Sequence, residues 1–451
     1  MIAAENTPEQ SPVVHILWDA SHIWGLMAWR AMMSLGLSCR LLKAKDIADG
    51  ALLGKPEQAS LLLVPGGSAR RKALALGERG REAVRFFVER GGSYLGFCGG
   101  AGLALSHEPK EQGLQICPLR RAVYAERLHH LISGHVLARM RAENEFVPPG
   151  LLRKGVRQGC LSLPVWWPGR FEMENGGSAA VSVLADYSEP DRDFCIADMS
   201  FRRIPKHIFA HWQEVYGVNL SADFLAGQPL AVSGRYGLGR YALSYSHLET
   251  PHSPEANAWL AAVVGVLVPA KPACTLVRQW DLRRVRPSWP DTRENAPLLS
   301  ALRRSHALLR LALQHRLFFV RTPWLAGWRA GLPGAALNSL HAALCTAASL
   351  VPSEAALEYW HTARKGFTRA ADLFFPGAEG WLLAFRLAQT LVSSLPRAVD
   401  RRGLDEQQAA LFGQPMQGGG LLEELIAPAE ELVYLSHSTA PPPGHFRGEM
   451  P

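Results

Sequence analysis

The sequence predicts an α/β domain over roughly its first 270 residues, with a mostly parallel sheet covered by helices on both faces, and an all-helical region after it. In the first part, short apolar segments alternate with helical stretches at intervals of about 30 residues, which is typical of βαβ units. From about residue 275 the strand signals stop, and segments rich in leucine and alanine follow. These patterns favour two domains of different class.

The first part begins with a regular alternation of strands and helices. Helical stretches are predicted at 24–35 and 78–90, and Gly91-Gly92 ends the second of them. Four short apolar runs that surround these helices are predicted to be buried strands, at 13–18, 39–42, 60–64 and 93–97. Parallel neighbours need crossover connections of this kind.

The middle of the chain, about 105–230, is less regular. A glycine-rich hairpin is predicted over 229–245 and a helix over 253–267, with Ser253 available as its N-cap. Three segments that precede the hairpin read as strands, at 160–167, 179–184 and 195–199.

Later segments carry apolar residues at helical spacing. They are predicted as helices at 296–320, 334–350, 353–370 and 378–395. We expect Leu302, Leu309 and Leu313 to be buried and the arginine-rich stretch 278–293 to be largely exposed.

A chain of 451 residues is longer than the chains that usually fold around a single hydrophobic core. We therefore expect a flexible leader at 1–11, an α/β domain at 12–270, a helical domain at 275–435 and a disordered tail at 436–451. A composition of 48% hydrophobic and 20% charged residues is that of an ordinary folded protein.

The formal charge of +8 is scattered along the chain, and no nucleic-acid-binding motif accompanies it. Seven cysteines without a C-x-x-C pair argue against a disulfide framework or a zinc site, so we expect a reducing compartment and no metal or other cofactor. The N-terminal residues do not resemble a signal peptide, and the longest apolar run, 258–268, is too short for a membrane span. The sequence thus predicts a cytoplasmic protein without nucleic-acid or membrane partners.

Cys98 has the sequence context of a nucleophile. The segment Gly96-Phe97-Cys98-Gly99-Gly100 places it between a predicted strand and the helix that follows, as in the nucleophile elbow of hydrolases. A helix N-terminus at this position favours the thiolate and an oxyanion. The alternative is a buried structural cysteine in a tight turn, and the motif alone does not decide between the two.

Two further segments complete a possible catalytic arrangement. The run Pro65-Gly66-Gly67 ends a predicted strand and can supply backbone amides for an oxyanion hole. His247 and Glu249 end another strand, where the carboxylate can orient the imidazole towards a thiol. Taken singly, the histidine and the glutamate are more often ordinary core or surface residues.

The order P-G-G, then G-x-C-x-G, then a hairpin leading to H-x-E resembles class I glutamine amidotransferases, which have a flavodoxin-like fold. The segments Leu63–Gly67 and Arg90–Gly100 resemble the N-terminal domain of biotin–protein ligases more closely. Trp167–Phe171 and Val183–Tyr187 fit the strands that such domains carry before the histidine. The resemblance covers about residues 12–268 and none of the helical region.

This resemblance implies that Cys98 is the nucleophile, His247 the base and Glu249 the residue that orients it. It also implies that the amides of Gly67 and Gly99 form the oxyanion hole. Leu248 departs from the family pattern, in which proline usually stands between the histidine and the glutamate. Asp19 and His22 follow the first strand and are weaker candidates for substrate contact.

The ligase catalytic domain is not expected in this chain. Ser233–Arg240 superficially resembles the glycine- and arginine-rich loop of ligases, but it is better explained as the hairpin before His247. Trp289-Pro290-Asp291 lacks the asparagine of the ligase motif.

Three functions are compatible with the sequence. The first is a cysteine-dependent amidohydrolase or amidotransferase that acts on a small-molecule amide or acyl substrate through a thioester. The second is a binding or regulatory module that keeps the fold without turnover. The third is an assembly protein whose helical region docks a protein partner.

Overall fold

The computed structural model describes most of the chain. The described residues are 14–53, 61–123, 131–141, 144–152, 159–173, 180–217, 219–223, 225–414 and 418–437. The predicted leader 1–11 and residues 438–451 of the predicted tail lie outside them.

The strands, in chain order, are β1 Val14–Leu17, β2 Cys39–Leu42, β3 Leu61–Val64, β4 Ser93–Phe97, β5 Arg120–Arg121, β6 Ile132–Met140, β7 Cys160–Trp166, β8 Phe171–Glu172, β9 Val181–Pro190, β10 Cys195–Ile196, β11 Met199–Ser200, β12 Pro229–Tyr236, β13 Gly239–Ser244, β14 Phe318–Val320 and β15 Ala326–Trp328. The α-helices are α1 Ile23–Ser34, α2 Ala44–Ala48, α3 Ala69–Glu89, α4 Gly99–Ala104, α5 Pro149–Leu152, α6 Lys206–Tyr216, α7 Pro254–Leu267, α8 Ala296–Gln314, α9 Gly334–Ser349, α10 Glu354–Leu391, α11 Arg401–Phe412 and α12 Gly420–His437.

The centre of the α/β part is a run of parallel strands in the order β2-β1-β3-β4-β13. Strands β1, β3 and β4 are short and almost wholly buried, as expected where a parallel sheet is covered by helices. The predicted α/β class, with a parallel central sheet and a helical region after it, is confirmed.

An antiparallel extension continues the same sheet beyond β13. The predicted hairpin joins β13 to β12, and β9, β6 and β10 follow outward, with β7 also paired to β6. Strand β6 was not predicted, because Ser133, Gly134 and His135 interrupt its apolar residues. These strands bring the end of β7 close to the end of β13, where Val165 and Ser246 form an isolated bridge.

The region after residue 275 is mainly helical, but it also contains a small antiparallel hairpin. Strands β14 and β15 pair through Phe319 and Gly327, so the expectation of an all-helical region is wrong in this detail. The predicted segment 296–320 overran the true helix, since its last residues form β14. The two segments 353–370 and 378–395 are one helix, α10, which continues through Pro376.

The predicted burial of three leucines and the predicted exposure of the arginine-rich stretch are found in part. Leu302 is buried, whereas Leu309 and Leu313 are only partly buried and pack against the core from its margin. The arginines of 278–293 are exposed. Ser436 and His437, assigned to the tail, form the last turn of α12.

The two parts of the molecule are in contact. Helix α1 packs against α9, and α12 packs against β2. The buried apolar side chains of both parts form one continuous cluster. Among the described residues, no helix is both long and apolar enough to cross a bilayer.

Two glycines of α4 allow a test of how tightly the strand-to-helix turn is packed. A Cβ on Gly100 would lie 1.9 Å from the carbonyl oxygen of Val64, whereas a Cβ on Gly102 would meet only the Ala69 side chain at 3.6 Å. We expect Gly100→Ala to lower the free energy of unfolding by about 1–3 kcal/mol through overpacking. Gly102→Ala should raise it by about 0.4–1 kcal/mol by restricting the unfolded chain.

Urea denaturation of the two variants measures this difference. Equal effects of the two substitutions would contradict the close approach of α4 to β3.

Candidate active site

Neighbouring strands bring Cys98 and His247 to one edge of the sheet. Strands β4 and β13 are parallel, with Phe97 beside Ser244, and the Cys98 amide donates to the Ser244 carbonyl at 2.8 Å. Cys98 directly follows β4, and His247 lies three residues beyond the end of β13. Both residues are therefore at the carboxyl ends of adjacent strands.

Cys98 lies on a sharp turn into α4. Its φ of 48° is in the left-handed region, which a residue with a side chain adopts only when its surroundings hold it there. Cys98 is the N-cap residue of α4, so the helix begins at the thiol. This is the geometry of a nucleophile elbow.

His247 and Glu249 form a buried pair. His247 Nδ1 donates to Glu249 Oε1 at 2.7 Å, and both side chains are almost fully excluded from solvent. The indole of Trp24 lies against the imidazole, with ring centroids 4.5 Å apart. The bond at Nδ1 and the contact with Trp24 fix the ring, and Nε2 has no hydrogen-bond partner among the described residues.

Charge and burial shift the pKa of His247 in opposite directions. Burial alone lowers its pKa, but the Glu249 carboxylate and the neighbouring Cys98 thiol outweigh burial and raise it to about 10. The imidazolium is therefore the favoured form near neutral pH, and it is the natural counter-ion of a thiolate. Cys98 itself is partly exposed, and its sulfur lies 3.9 Å from the Trp166 carbonyl oxygen.

Gly67 and Gly99 are in direct contact beside this pair. A Cβ on Gly99 would lie 1.8 Å from the Gly67 carbonyl oxygen, so this approach requires glycine. Gly67 has a φ of 107°, in the region that favours glycine, and its Cα faces the carbonyl of Ala20. The Pro-Gly-Gly loop thus lies against the start of α4.

Asp19 and His22 contact groups of the protein. The Asp19 carboxylate accepts from the Ala44 amide at the start of α2. His22 Nδ1 donates to Glu430 Oε1 of α12 at 2.9 Å, and Arg71 lies 3.3 Å from its Nε2. Burial lowers the pKa of His22, but Glu430 outweighs this effect and raises it above its usual value.

Lys72 lies buried near the site, and its position was not predicted from the sequence. Its ammonium donates to the carbonyls of Asp19 and Ala20, each at 3.1 Å, and to the hydroxyl of Ser21. Burial lowers the pKa of Lys72 to about 7. Nothing in the pattern of α3 distinguishes this lysine from a surface residue, because its burial depends on the loop after β1.

Asn257 is a second residue that the sequence analysis missed. Its side-chain amide donates to the carbonyls of Leu248 and Thr250 at 2.8 and 2.9 Å, and its oxygen accepts from the Ser253 amide. These bonds hold the backbone that carries His247 and Glu249. Leu248, where the family pattern has proline, is buried in the core.

Helix α12 covers part of the same sheet edge. In addition to the bond between Glu430 and His22, Glu423 pairs with Arg71 at 3.1 Å. His22 follows β1 and Arg71 follows β3, so α12 contacts the edge close to the Pro-Gly-Gly loop.

Part of this domain matches a known family. Residues 44–115 match the family model described as biotin-protein ligase, N terminal. The matched segment contains Cys98 and the two glycines, and it ends before His247. A search of the curated proteins finds no match to this sequence.

Several solved structures are similar to part of this chain. A Thermoplasma acidophilum protein provisionally named as one of the subunits of a GMP synthase is 11% identical, with 57% of this chain and 94% of that chain covered and a TM-score of 0.34. PurLQS from Thermotoga maritima is 13% identical, with 57% and 99% covered and a TM-score of 0.36. A β-galactosidase from Rahnella sp. R3 is 13% identical, with 62% and 33% covered and a TM-score of 0.33.

The family match lies on the segment whose Pro-Gly-Gly and Gly-x-Cys-x-Gly motifs suggested it. The resemblance to the N-terminal domain of biotin–protein ligases is therefore confirmed, and residues 44–115 carry it.

Proposed function

We propose that this protein is a cysteine-dependent amidohydrolase whose catalytic triad is Cys98, His247 and Glu249. One observation carries the proposal: a buried His247–Glu249 pair leaves the imidazole Nε2 without a partner among the described residues, beside a cysteine on a strained elbow. We assign the catalytic domain to residues 12–270 and a helical domain to 275–435.

In the first half of the reaction, the Cys98 thiolate attacks the carbonyl carbon of an amide. The carbon–nitrogen bond breaks as the His247 imidazolium gives its proton to the leaving amine, and a thioester with Cys98 remains. Glu249 holds the ring orientation and stabilises its positive charge throughout.

In the second half, water replaces the amine. Neutral His247 takes a proton from the water as its oxygen attacks the thioester carbonyl, and the carbon–sulfur bond breaks to release a carboxylic acid and the Cys98 thiolate. The two halves together consume one amide and one water and yield an acid and an amine.

The oxyanion of each tetrahedral intermediate is assigned to the amides of Gly67 and Gly99. Their mutual contact, next to the first turn of α4, supports this assignment. The helix N-terminus adds a favourable dipole at the same place.

Asp19 and Lys72 hold the loop after β1 rather than contact substrate. The Asp19 carboxylate accepts from the Ala44 amide, and Lys72 donates to the carbonyls of Asp19 and Ala20.

The substrate class is a small-molecule amide or acyl compound. All seven cysteines are free, which fits a reducing compartment, and we assign the protein to the cytoplasm on that ground.

A specific observation favours one alternative, a binding module without turnover. The contacts of Glu423 and Glu430 with Arg71 and His22 close part of the edge at which a substrate would enter. In that case Cys98 and His247 would keep the fold of an enzyme, and the helical region would present a surface to a protein partner.

Labelling with a glutamine-like chloroketone separates the two functions. We expect the reagent to modify one cysteine, Cys98, because this thiol lies beside the proposed base His247. The variant Cys98→Ser should not be labelled. Mass spectrometry of peptides from the labelled protein identifies the site. Absence of labelling in protein that is folded by circular dichroism would favour the binding module.

Iodoacetamide measures how far His247 activates the thiol. We expect Cys98 to react first under limiting reagent, and His247→Ala to slow its alkylation near neutral pH by at least about tenfold. Cys274, which is exposed, is the internal control and should react at the same rate in both proteins. Equal rates at Cys98 with and without the imidazole would falsify its activation.

The pH dependence of the same reaction tests the role of Glu249. In the wild-type protein the raised pKa of His247, about 10, keeps the imidazolium present below that value, so alkylation should change little between about pH 6 and 9. In Glu249→Gln the carboxylate that raises this pKa is lost while burial still lowers it. We therefore expect the variant to react at least about tenfold more slowly near pH 6 and to gain rate as the pH rises.

Glu255→Gln is the matched control, because Glu255 is outside the pair and its carboxylate bonds the Ser162 amide. A flat profile in Glu249→Gln would contradict the assigned role of the carboxylate.

A further inference from the structure

Three metal-binding side chains meet between α8 and α9, in the helical region. His341 and Cys345 lie four residues apart on one face of α9, and His306 faces them from α8. One ligand atom of each residue lies within 4.8 Å of the others. His341 and Cys345 are buried and His306 is partly exposed.

The distance between two of the donor atoms fits a tetrahedral site. Cys345 Sγ lies 3.5 Å from His341 Nε2. A zinc ion with bonds of about 2.3 Å to sulfur and about 2.0–2.1 Å to nitrogen, at a tetrahedral angle, places these two atoms about 3.6 Å apart. The imidazole rings of His306 and His341 are also close, with centroids 4.5 Å apart.

The Ser305 hydroxyl contacts one nitrogen of His341 and leaves the other facing Cys345. The Ser305 hydroxyl lies 2.8 Å from the Leu302 carbonyl and 3.0 Å from His341 Nδ1. Without a metal, the Leu282 carbonyl accepts a hydrogen bond from Cys345 Sγ at 3.7 Å. Binding a metal through Nε2, the nitrogen nearer Cys345, leaves the hydrogen of His341 on Nδ1, where the Ser305 hydroxyl can accept it. Ser305 thus has the position of an outer-shell residue that orients a ligand.

A cavity of about 470 Å³ opens beside the cluster. His306 and His341 line it together with Trp324 and the arginines Arg283, Arg303 and Arg310. A fourth coordination position can therefore face open space on the cavity side. The arginines favour an anionic oxygen ligand there.

We propose that His306, His341 and Cys345 bind a divalent zinc-type ion, with a fourth position open to this cavity for water or an anionic oxygen ligand. Two imidazoles and one thiolate are a donor set that suits Zn²⁺ and its substitute Co²⁺. On binding, the Cys345 thiol gives its proton to solvent and the sulfur bonds the metal. This site is independent of the triad proposed above.

No metal site was expected from the sequence, since the chain has no C-x-x-C pair. The H-x-x-x-C spacing of α9 supplies only two ligands, and the third comes from another helix. The cluster is visible only once α8 and α9 are packed together.

Titration of chelator-treated full-length protein with Co²⁺ tests the site. We expect one equivalent to bind, with the visible bands of tetrahedral cobalt and a sulfur-to-cobalt charge-transfer band, and one equivalent of Zn²⁺ to abolish both. Cys345→Ala should lose the charge-transfer band, and His306→Gln should bind at least about tenfold more weakly. Ser305→Ala should weaken binding by about 10–100-fold, as outer-shell changes do.

Cys117→Ala is the matched control, because Cys117 is as buried as Cys345 and lies in the α/β part. It should keep the full spectrum. If Cys345→Ala does not fold by circular dichroism, His306→Gln decides, since His306 is partly exposed. The proposal is overturned if folded wild-type protein gives no charge-transfer band. It is also overturned if Cys345→Ala or His306→Gln binds cobalt as the wild type does. A hydrogen bond between Cys345 and His341 would then explain the cluster.

Discussion

The hydrogen bond from the Cys98 amide to the Ser244 carbonyl joins the two halves of the candidate site. It continues the parallel pairing of β4 and β13 by one residue, and it sets the elbow at a fixed height relative to the strand that leads to His247. Because side chains alternate along a strand, a slip of one residue would turn the flanking residues to the other face. Sheet register thus sets the relative height of the two strand ends, and the bonds of Asn257 hold the short loop that carries His247 beyond β13.

Buried charge is the second constraint on this edge. An isolated imidazolium in the interior would be strongly unfavourable, and the Glu249 carboxylate offsets that cost through a short contact. The direct hydrogen-bond partners of Lys72 are two carbonyls and a hydroxyl. Burial lowers its pKa to about 7, because these neutral groups and the nearby Asp19 and Glu430 carboxylates only partly compensate for it. The polar groups fix the loops after β1 and β13, which lie at the same edge of the sheet as the thiol.

Local signals explain what the sequence predicted well and what it did not. The short apolar runs of β2 and β4 were bounded correctly, and glycine patterns located the elbow and the hairpin. Strand β6 was not predicted, because its apolar and polar residues do not alternate with a clear period of two. Helix α10 was predicted as two helices, because a proline such as Pro376 usually ends a helix. The roles of Lys72 and of the His306 cluster depend on segments that are distant in sequence, so no local pattern indicates them.

The helical region contacts the α/β part close to the proposed triad, through a cation and a series of aromatic rings. Arg321, next to β14, lies over the Trp166 ring, and Trp324 also contacts that ring. Trp166 contacts Trp24, which in turn lies against His247. Trp324 also lines the cavity beside His306 and His341, so one aromatic layer separates the candidate metal site from the triad. Trp24, the ring that packs on His247, is thus two tryptophan contacts away from the cavity wall.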